Sequence, residues 1–175
     1  DADAIFISPV SGIKKIGDFK TKIIIKCYNE LVNKMFYDPF PALISPFNTY
    51  SRYAGPREAA FTAICRKNYG CSHFIIGRDH TGLKNYYDKN AYNILDELDL
   101  GISLIRFSEV VYDQEKNKYL ENIDLKKSEY IKKISATKLR GKINDKSFKK
   151  DYILSDIVFN TLMDFVNDKK ELFIV

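Results

Sequence analysis

The chain has 175 residues and a formal net charge of +5 at pH 7, with 45% hydrophobic and 29% charged residues. This composition is ordinary for a globular domain, and the length allows one compact core but not two large ones. No run of 18 or more apolar residues occurs, which excludes a transmembrane helix. The charge is too modest, and the aromatic residues too regularly at buried-looking positions, to indicate a nucleic-acid partner.

Cysteine and histidine are scarce in this sequence. Three cysteines, Cys27, Cys65 and Cys71, form an odd set without C-x-x-C spacing, which is typical of reduced thiols in a cytoplasmic protein. The two histidines, His73 and His80, have no ligand partners at suitable spacing. We therefore expect a cytoplasmic protein with no zinc site and no other protein-bound metal.

The first third of the chain alternates strand and helix patterns. Residues 4–7 are a short apolar strand that Ser8 and Pro9 end. The apolar side chains at positions 24, 27, 31 and 35 recur at spacings of three and four, which predicts an amphipathic helix over about 20–35. Residues 42–44 are the next predicted strand, before Pro46.

The middle of the chain contains the best-defined unit. Pro56 stands at a first helical turn, where its missing N–H costs nothing, and Gly70 follows the last turn as a left-handed cap. Residues 73–76 then form a predicted strand that ends at Gly77.

The remaining elements are predicted with less regular patterns. They are a helix around 91–98, a strand over 102–111, a polar hairpin or loop over 113–124, and two helices over about 136–144 and 153–167. This alternation favours one α/β domain, doubly wound around a parallel sheet.

The segment after the third predicted strand is rich in polar residues. It reads Gly-Arg-Asp-His-Thr-Gly over residues 77–82, and loops at the carboxyl ends of parallel strands are where open α/β sheets bind ligands. Its backbone N–H groups and arginine suit an anion. The residues alone are equally compatible with a polar turn in which Asp79 caps the loop and His80 packs on Tyr86.

Longer blocks around this segment resemble ATP sulfurylases. The strongest are Arg52–Ala59, Arg66–Cys71 and His73–His80, which occur in that family's order and spacing; Ser8–Asp18, Tyr86–Asp88 and Ile134–Arg140 are also similar. The resemblance implies a Rossmann-like nucleotidyltransferase domain with a mostly parallel sheet, flanking helices and a helical C-terminal part. Residues 1–112 would be an incomplete nucleotide-binding α/β catalytic domain, and 113–175 the hairpin and helical portion of the same domain.

The family's catalytic domain begins with a strand followed by a Gln-x-Arg-Asn-x-x-His-x-x-His motif, and no segment of this sequence matches it. We therefore expect this chain to be a piece of a longer protein, lacking a central strand and part of the catalytic set.

The resemblance also implies site residues within the glycine-flanked loop. Gly77, Arg78, Asp79 and His80 would bind ATP, with Arg78 and His80 as catalytic residues. Thr81 would offer its backbone to sulfate. The family usually has alanine there, so the threonine leaves open a different oxyanion acceptor.

Further positions match the family more loosely. Val111 would lie against the nucleotide base, and Ser135, Thr137 and Arg140 would bind phosphate at a helix start. For the last three, an ordinary helix cap with a surface arginine explains the residues equally well.

The implied reaction transfers the adenylyl group of ATP, with Mg²⁺ on its phosphates, to sulfate, giving adenosine 5′-phosphosulfate and pyrophosphate. Such a site must hold two anions in line, which explains its arginine and backbone donors. The competing hypothesis is a catalytically silent nucleotide-binding module. Arg52, Arg57 and Glu58 are interpreted as a network that fixes the helix beside the site, and homo-oligomerisation or fusion to a further domain is compatible with the sequence.

Overall fold

A computed structural model of the chain describes residues 2–77, 80, 86–122, 129–145, 147–168 and 170–175. The chain divides into two compact units: unit 1 is Asp1–Tyr50 with Ser135–Val175, and unit 2 is Ser51–Ile134. In chain order the elements are β1 (Ile5–Ile7), α1 (Thr21–Asn33), β2 (Ala42–Ile44), α2 (Pro56–Asn68), β3 (His73–Ile76), a 3₁₀-helix (Lys89–Asp96), β4 (Ser103–Arg106), β5 (Val110–Asp113), β6 (Lys118–Glu121), β7 (Ile131–Lys133), α3 (Ala136–Asn144) and α4 (Asp156–Asn167).

Unit 1 contains the parallel pair β1–β2, which α1 contacts through β2, and the helices α3 and α4. Ile5 lies opposite Ala42 in this pair. Helix α1 packs on α4, and Ile23, 1% exposed, is the best-covered side chain of a cluster completed by Leu139, Ile143, Leu162 and Leu172. The core of unit 1 is therefore assembled from both ends of the chain.

The predicted helix over 20–35 is confirmed, but its buried stripe differs in two places. Ile23, rather than Ile24, is fully buried. Met35 is 75% exposed, because α1 ends at Asn33 and Met35 takes a left-handed φ of 54° in the following turn. The chain leaves the helical path before the apolar stripe reaches this residue.

Unit 2 is built on the parallel pair β3–β4, covered on one face by α2 and the 3₁₀-helix. Its core cluster is Ala59, Ala63, Ile76, Leu95 and Leu100. The small alanines of α2 let the helix approach the strands closely. Gly70 has a φ of 92° just after α2, which confirms the predicted left-handed cap.

The strand predicted over 102–111 is two strands with different partners. β4 pairs in parallel with β3, so that Ile76 lies opposite Arg106. β5 pairs antiparallel with both β6 and β7 in the order β6-β5-β7. The helix predicted near 91–98 is the 3₁₀-helix, which begins where the Asp88 carboxylate accepts the Asn90 backbone N–H at 2.7 Å.

The α/β class is confirmed, whereas a single parallel sheet is not what the described strands form. They make two separate parallel pairs and one three-stranded antiparallel sheet. The division into functional portions at residues 112 and 113 stays a prediction. Within the described residues, no helix combines the length and apolar character needed to cross a membrane.

Candidate functional site

The candidate site lies at the carboxyl ends of β3 and β4. The Phe107 backbone N–H, one residue past β4, donates to the Ile76 carbonyl at 2.9 Å. The segments that follow β3 and β4 therefore leave the sheet next to each other. Gly77 follows β3 directly and is exposed. This is the edge at which open α/β sheets bind ligands.

Most of the predicted loop falls outside the described residues. Arg78, Asp79 and Thr81 lie there, and the roles predicted for them stay predictions. Gly77 and His80 flank Arg78 and Asp79 and are described.

His80 is half-buried and is contacted at both its backbone and its ring. Its carbonyl oxygen accepts the Tyr92 hydroxyl at 2.7 Å. Its imidazole packs edge-on against the Phe74 ring, with centroids 5.4 Å apart and the planes at 88°. The polar-turn alternative had paired this ring with Tyr86, which is instead 76% exposed and packs edge-on against Tyr87.

The surroundings of His80 favour its neutral form. Burial lowers the pKa of this imidazole below 6.5, and the positive charge of Arg66 lowers it further, while the Glu58 carboxylate acts in the opposite direction. Because the balance lowers the pKa, the ring is mostly neutral at pH 7 and can donate one hydrogen bond and accept another.

The loop before α2 is held by one carboxylate. Glu58, 5% exposed in the first turn of α2, accepts the backbone N–H of Arg52 with both oxygens at 3.0 Å and that of Ala54 at 3.1 Å. Glu58 therefore fixes the start of α2 through backbone amides, and the network with Arg52 and Arg57 stays a prediction. The Arg52 guanidinium lies 5.0 Å from the centre of the Phe61 ring.

Tyr87 also contacts the loop before α2. The Tyr87 hydroxyl donates to the Tyr53 carbonyl at 3.1 Å, and its ring would lie 2.6 Å from a Cβ added at Gly55. Gly55 also has a φ of 54°, so this position requires glycine for two reasons. The sequence analysis missed both Tyr87 and Tyr92 as supporting residues. Tyr87 belongs to a block that resembles the family, whereas Tyr92 carried no signal.

Val111 lies on the central strand of the three-stranded sheet of unit 2. It pairs with Leu120 on β6 and Lys133 on β7, and its side chain is 1% exposed. This side chain therefore has almost no exposed surface to offer a ligand. The contact with a nucleotide base stays a prediction.

The three predicted phosphate ligands belong to unit 1, whereas Gly77, His80 and Val111 belong to unit 2. The Ser135 Oγ caps α3 by accepting the Lys138 N–H at 3.3 Å. The Arg140 guanidinium donates to the Thr137 hydroxyl at 3.5 Å and lies 3.9 Å from the Asp18 carboxylate. The capping interpretation is thus confirmed for Ser135, and phosphate binding stays a prediction.

The described residues do not form a metal-binding site. No group of three or more His, Cys, Asp or Glu side chains among them is arranged to hold a metal.

Comparison with known proteins identifies the family. The sequence model of the ATP-sulfurylase family matches residues 1–164. The sulfate adenylyltransferases of Pyrococcus abyssi and Cenarchaeum symbiosum are each 39% identical, over 94% and 93% of this chain respectively. A probable bifunctional SAT/APS kinase 2 of Sorangium cellulosum is 41% identical over 63% of this chain and 19% of its own length.

Coverage and fold complete the comparison. The chain spans 44% of the Pyrococcus abyssi relative and 43% of the Cenarchaeum symbiosum one. A hexameric APS kinase from Thiobacillus denitrificans has a similar fold, with a TM-score of 0.57 at 17% identity, over 92% of this chain and 30% of its own. Because the family model covers residues 1–164 and two relatives are 39% identical over more than nine-tenths of the sequence, the chain belongs to the ATP-sulfurylase family.

Proposed function

We propose that the complete protein transfers the adenylyl group of ATP to sulfate, giving adenosine 5′-phosphosulfate and pyrophosphate, and that this chain carries part of the nucleotide site. The observation that carries the proposal is the family match over residues 1–164. The position of Gly77, directly after β3 at the carboxyl edge of the parallel pair β3–β4, supports it. The likeness to the APS kinase chain favours a Rossmann-like arrangement of the fold.

The proposed roles are those that the family resemblance implies for these positions. Gly77, Arg78, Asp79 and His80 bind ATP, and Thr81 offers its backbone N–H to sulfate. The Arg78 guanidinium offsets the charge that develops when sulfate approaches the α-phosphorus, an effect worth about 3 kcal/mol of barrier for one such donor. A neutral His80 donates a hydrogen bond to a phosphate oxygen without a proton having to be supplied first.

The remaining assignments are also carried over from the family resemblance. Val111 supports the base, and Ser135, Thr137 and Arg140 contact phosphate oxygens. The substrate is ATP with Mg²⁺ on its β- and γ-phosphates, zinc takes no part, and the protein works in the cytoplasm. Homo-oligomerisation or fusion to a kinase-like domain is part of the proposal, since one relative is named a bifunctional SAT/APS kinase and the fold neighbour a hexameric APS kinase.

The test is pyrophosphate-dependent formation of ATP from adenosine 5′-phosphosulfate by the complete protein and its Arg78→Ala variant. We expect kcat/KM to fall about 10²- to 10³-fold in the variant, the usual effect of losing one donor to a developing charge. Lys118→Ala, which removes one exposed cation from β6, is the control and should leave the rate unchanged.

Two results would contradict the proposal. A wild-type protein that binds ATP yet forms none from adenosine 5′-phosphosulfate would have another acceptor or be catalytically silent. Release of pyrophosphate from ATP with other tetrahedral oxyanions separates these cases, and Thr81 motivates that assay. Equal rates for wild type and Arg78→Ala would remove the loop from the catalytic machinery.

A further inference from the structure

Two tyrosine hydroxyls donate to backbone carbonyls of unit 2. Tyr87 donates to the Tyr53 carbonyl in the loop before α2, 34 residues away in sequence. Tyr92 donates to the His80 carbonyl, 12 residues away, and its 2.7 Å bond is the shorter of the two. Both tyrosines lie in the segment 87–92, so one short stretch of chain fixes two loops.

Tyr92 is itself held in place at both ends. The Arg106 guanidinium, at the end of β4, donates to the Tyr92 carbonyl at 3.0 Å and to the Asp96 carboxylate at 2.7 Å. The Tyr92 ring packs against the core cluster of unit 2, to which Leu95 belongs. A hydroxyl on a ring anchored in this way can hold its acceptor in one position.

The contact fixes the residue that the proposed reaction needs. His80 is restrained at its backbone carbonyl, which accepts the Tyr92 hydroxyl, and at its ring, which packs against Phe74. The charged groups that act on the imidazole are Glu58 and Arg66, both on α2. A small rotation of His80 would change its distance from each and its exposure to water.

We propose that Tyr92 is a positioning residue: by holding the His80 carbonyl, its hydroxyl fixes the direction in which the His80 imidazole points at the carboxyl edge of β3 and β4. The proposal depends on the proposed function only where it assigns the imidazole to the ATP site. The restraint itself is a property of unit 2 and can be measured separately.

The experiment compares Tyr92→Phe with wild type in the complete protein. Phenylalanine keeps the ring that packs on the core and removes only the hydroxyl. We expect kcat for ATP formation to fall roughly tenfold with little change in KM, because a misplaced group weakens the transition state more than substrate binding. Tyr119→Phe makes the same change at a 51% exposed position on β6 and should leave kcat unchanged.

A second readout is independent of catalysis. The pKa of His80 is followed by NMR, using the imidazole signal that disappears in a His80→Asn variant. We expect Tyr92→Phe to raise this pKa towards 6.5, because a released ring gains water. If Tyr92→Phe does not fold, Arg106→Gln takes its place. This variant keeps the hydroxyl but loosens Tyr92, and we expect it to lower kcat and to raise the His80 pKa.

The outcomes separate this proposal from the function. If wild type forms no ATP while Tyr92→Phe still raises the His80 pKa, the function fails and the restraint stands. An unchanged pKa in a folded Tyr92→Phe variant overturns the restraint. A shifted pKa with unchanged kcat in an active enzyme overturns the assignment of Tyr92 as a positioning residue.

Discussion

At the residue scale, His80 is the polar side chain whose surroundings most directly couple structure to pH. Its imidazole is half-buried against Phe74, and burial, with the positive charge of Arg66, lowers its pKa below 6.5. The unfolded chain takes up this proton at a higher pH than the folded one. The folded state is therefore favoured above about pH 6.5 and loses that advantage as the pH falls through the lowered pKa.

This linkage predicts that His80→Gln makes stability less dependent on pH. The measurement is the free energy of unfolding in urea at pH 7.5 and pH 5. We expect the loss between these two values to be smaller in the variant than in wild type. His73→Gln, at an exposed position at the start of β3, is the matched control for the loss of an imidazole. A dependence as steep in His80→Gln as in wild type would show that the buried imidazole contributes nothing.

At the element scale, α3 and α4 begin with the same device. Ser135 Oγ accepts the Lys138 N–H at 3.3 Å, and Ser155 Oγ accepts the Val158 N–H at 3.4 Å. Each cap satisfies one backbone donor that the first helical turn would otherwise leave to water. The two serines differ in that only Ser135 is proposed to contact phosphate.

The matched pair separates capping from ligand binding. Ser135→Ala and Ser155→Ala should each lower the free energy of unfolding by about 0.5–2 kcal/mol, the usual cost of a lost cap. If Ser135 also contacts phosphate, we expect Ser135→Ala alone to weaken ATP binding, by roughly threefold to tenfold for one hydrogen bond. Calorimetric titration of the complete protein with ATP measures this. Equal affinities in the two variants would leave Ser135 as a cap alone.

Sequence patterns anticipated most elements, and their failures have identifiable causes. The stretch from Ile102 to Val111 was predicted as one strand because apolar residues stand on both sides of the polar residues between 106 and 109. The break comes from pairing, since β4 joins β3 in parallel and β5 joins β6 and β7 in the opposite sense. β7 was not predicted at all: two of its three residues are lysines, and the strand forms because β5 offers it a partner.

At the scale of the whole molecule, unit 1 depends on contacts between the two ends of the chain. Helix α1 supplies Ile23 to the core, and the C-terminal segment supplies Leu139, Ile143, Leu162 and Leu172. Neither segment covers this cluster by itself. The stability of α1 should therefore respond to changes in α4.

Leu162→Ala tests this dependence. We expect it to lower the free energy of unfolding by about 2–5 kcal/mol, because Leu162 is 3% exposed and its loss leaves a cavity. Hydrogen exchange should become faster in α1 as well as in α4. Leu43→Ala, at a 65% exposed position on β2 in the same unit, is the control and should cost under about 1 kcal/mol. Unchanged exchange in α1 would contradict the shared core.

The sequence by itself determined the local features and the family. Pro56 marks the start of α2 and Gly70 its end, because the fixed φ of proline and the permissive φ of glycine act within one or two residues. The loop after β3 is recognisable because its residues are contiguous in the sequence. The roles of Arg78, Asp79 and Thr81 in binding ATP and sulfate stay predictions from the sequence.

Only the tertiary structure decided which strands pair, how deeply Val111 is buried and that Tyr92 holds His80. These depend on residues that are separated in the sequence and meet through packing, and no local pattern encodes such a meeting. The buried environment that keeps His80 neutral arises in the same way, from side chains of α2 and β3 that the fold brings around one imidazole.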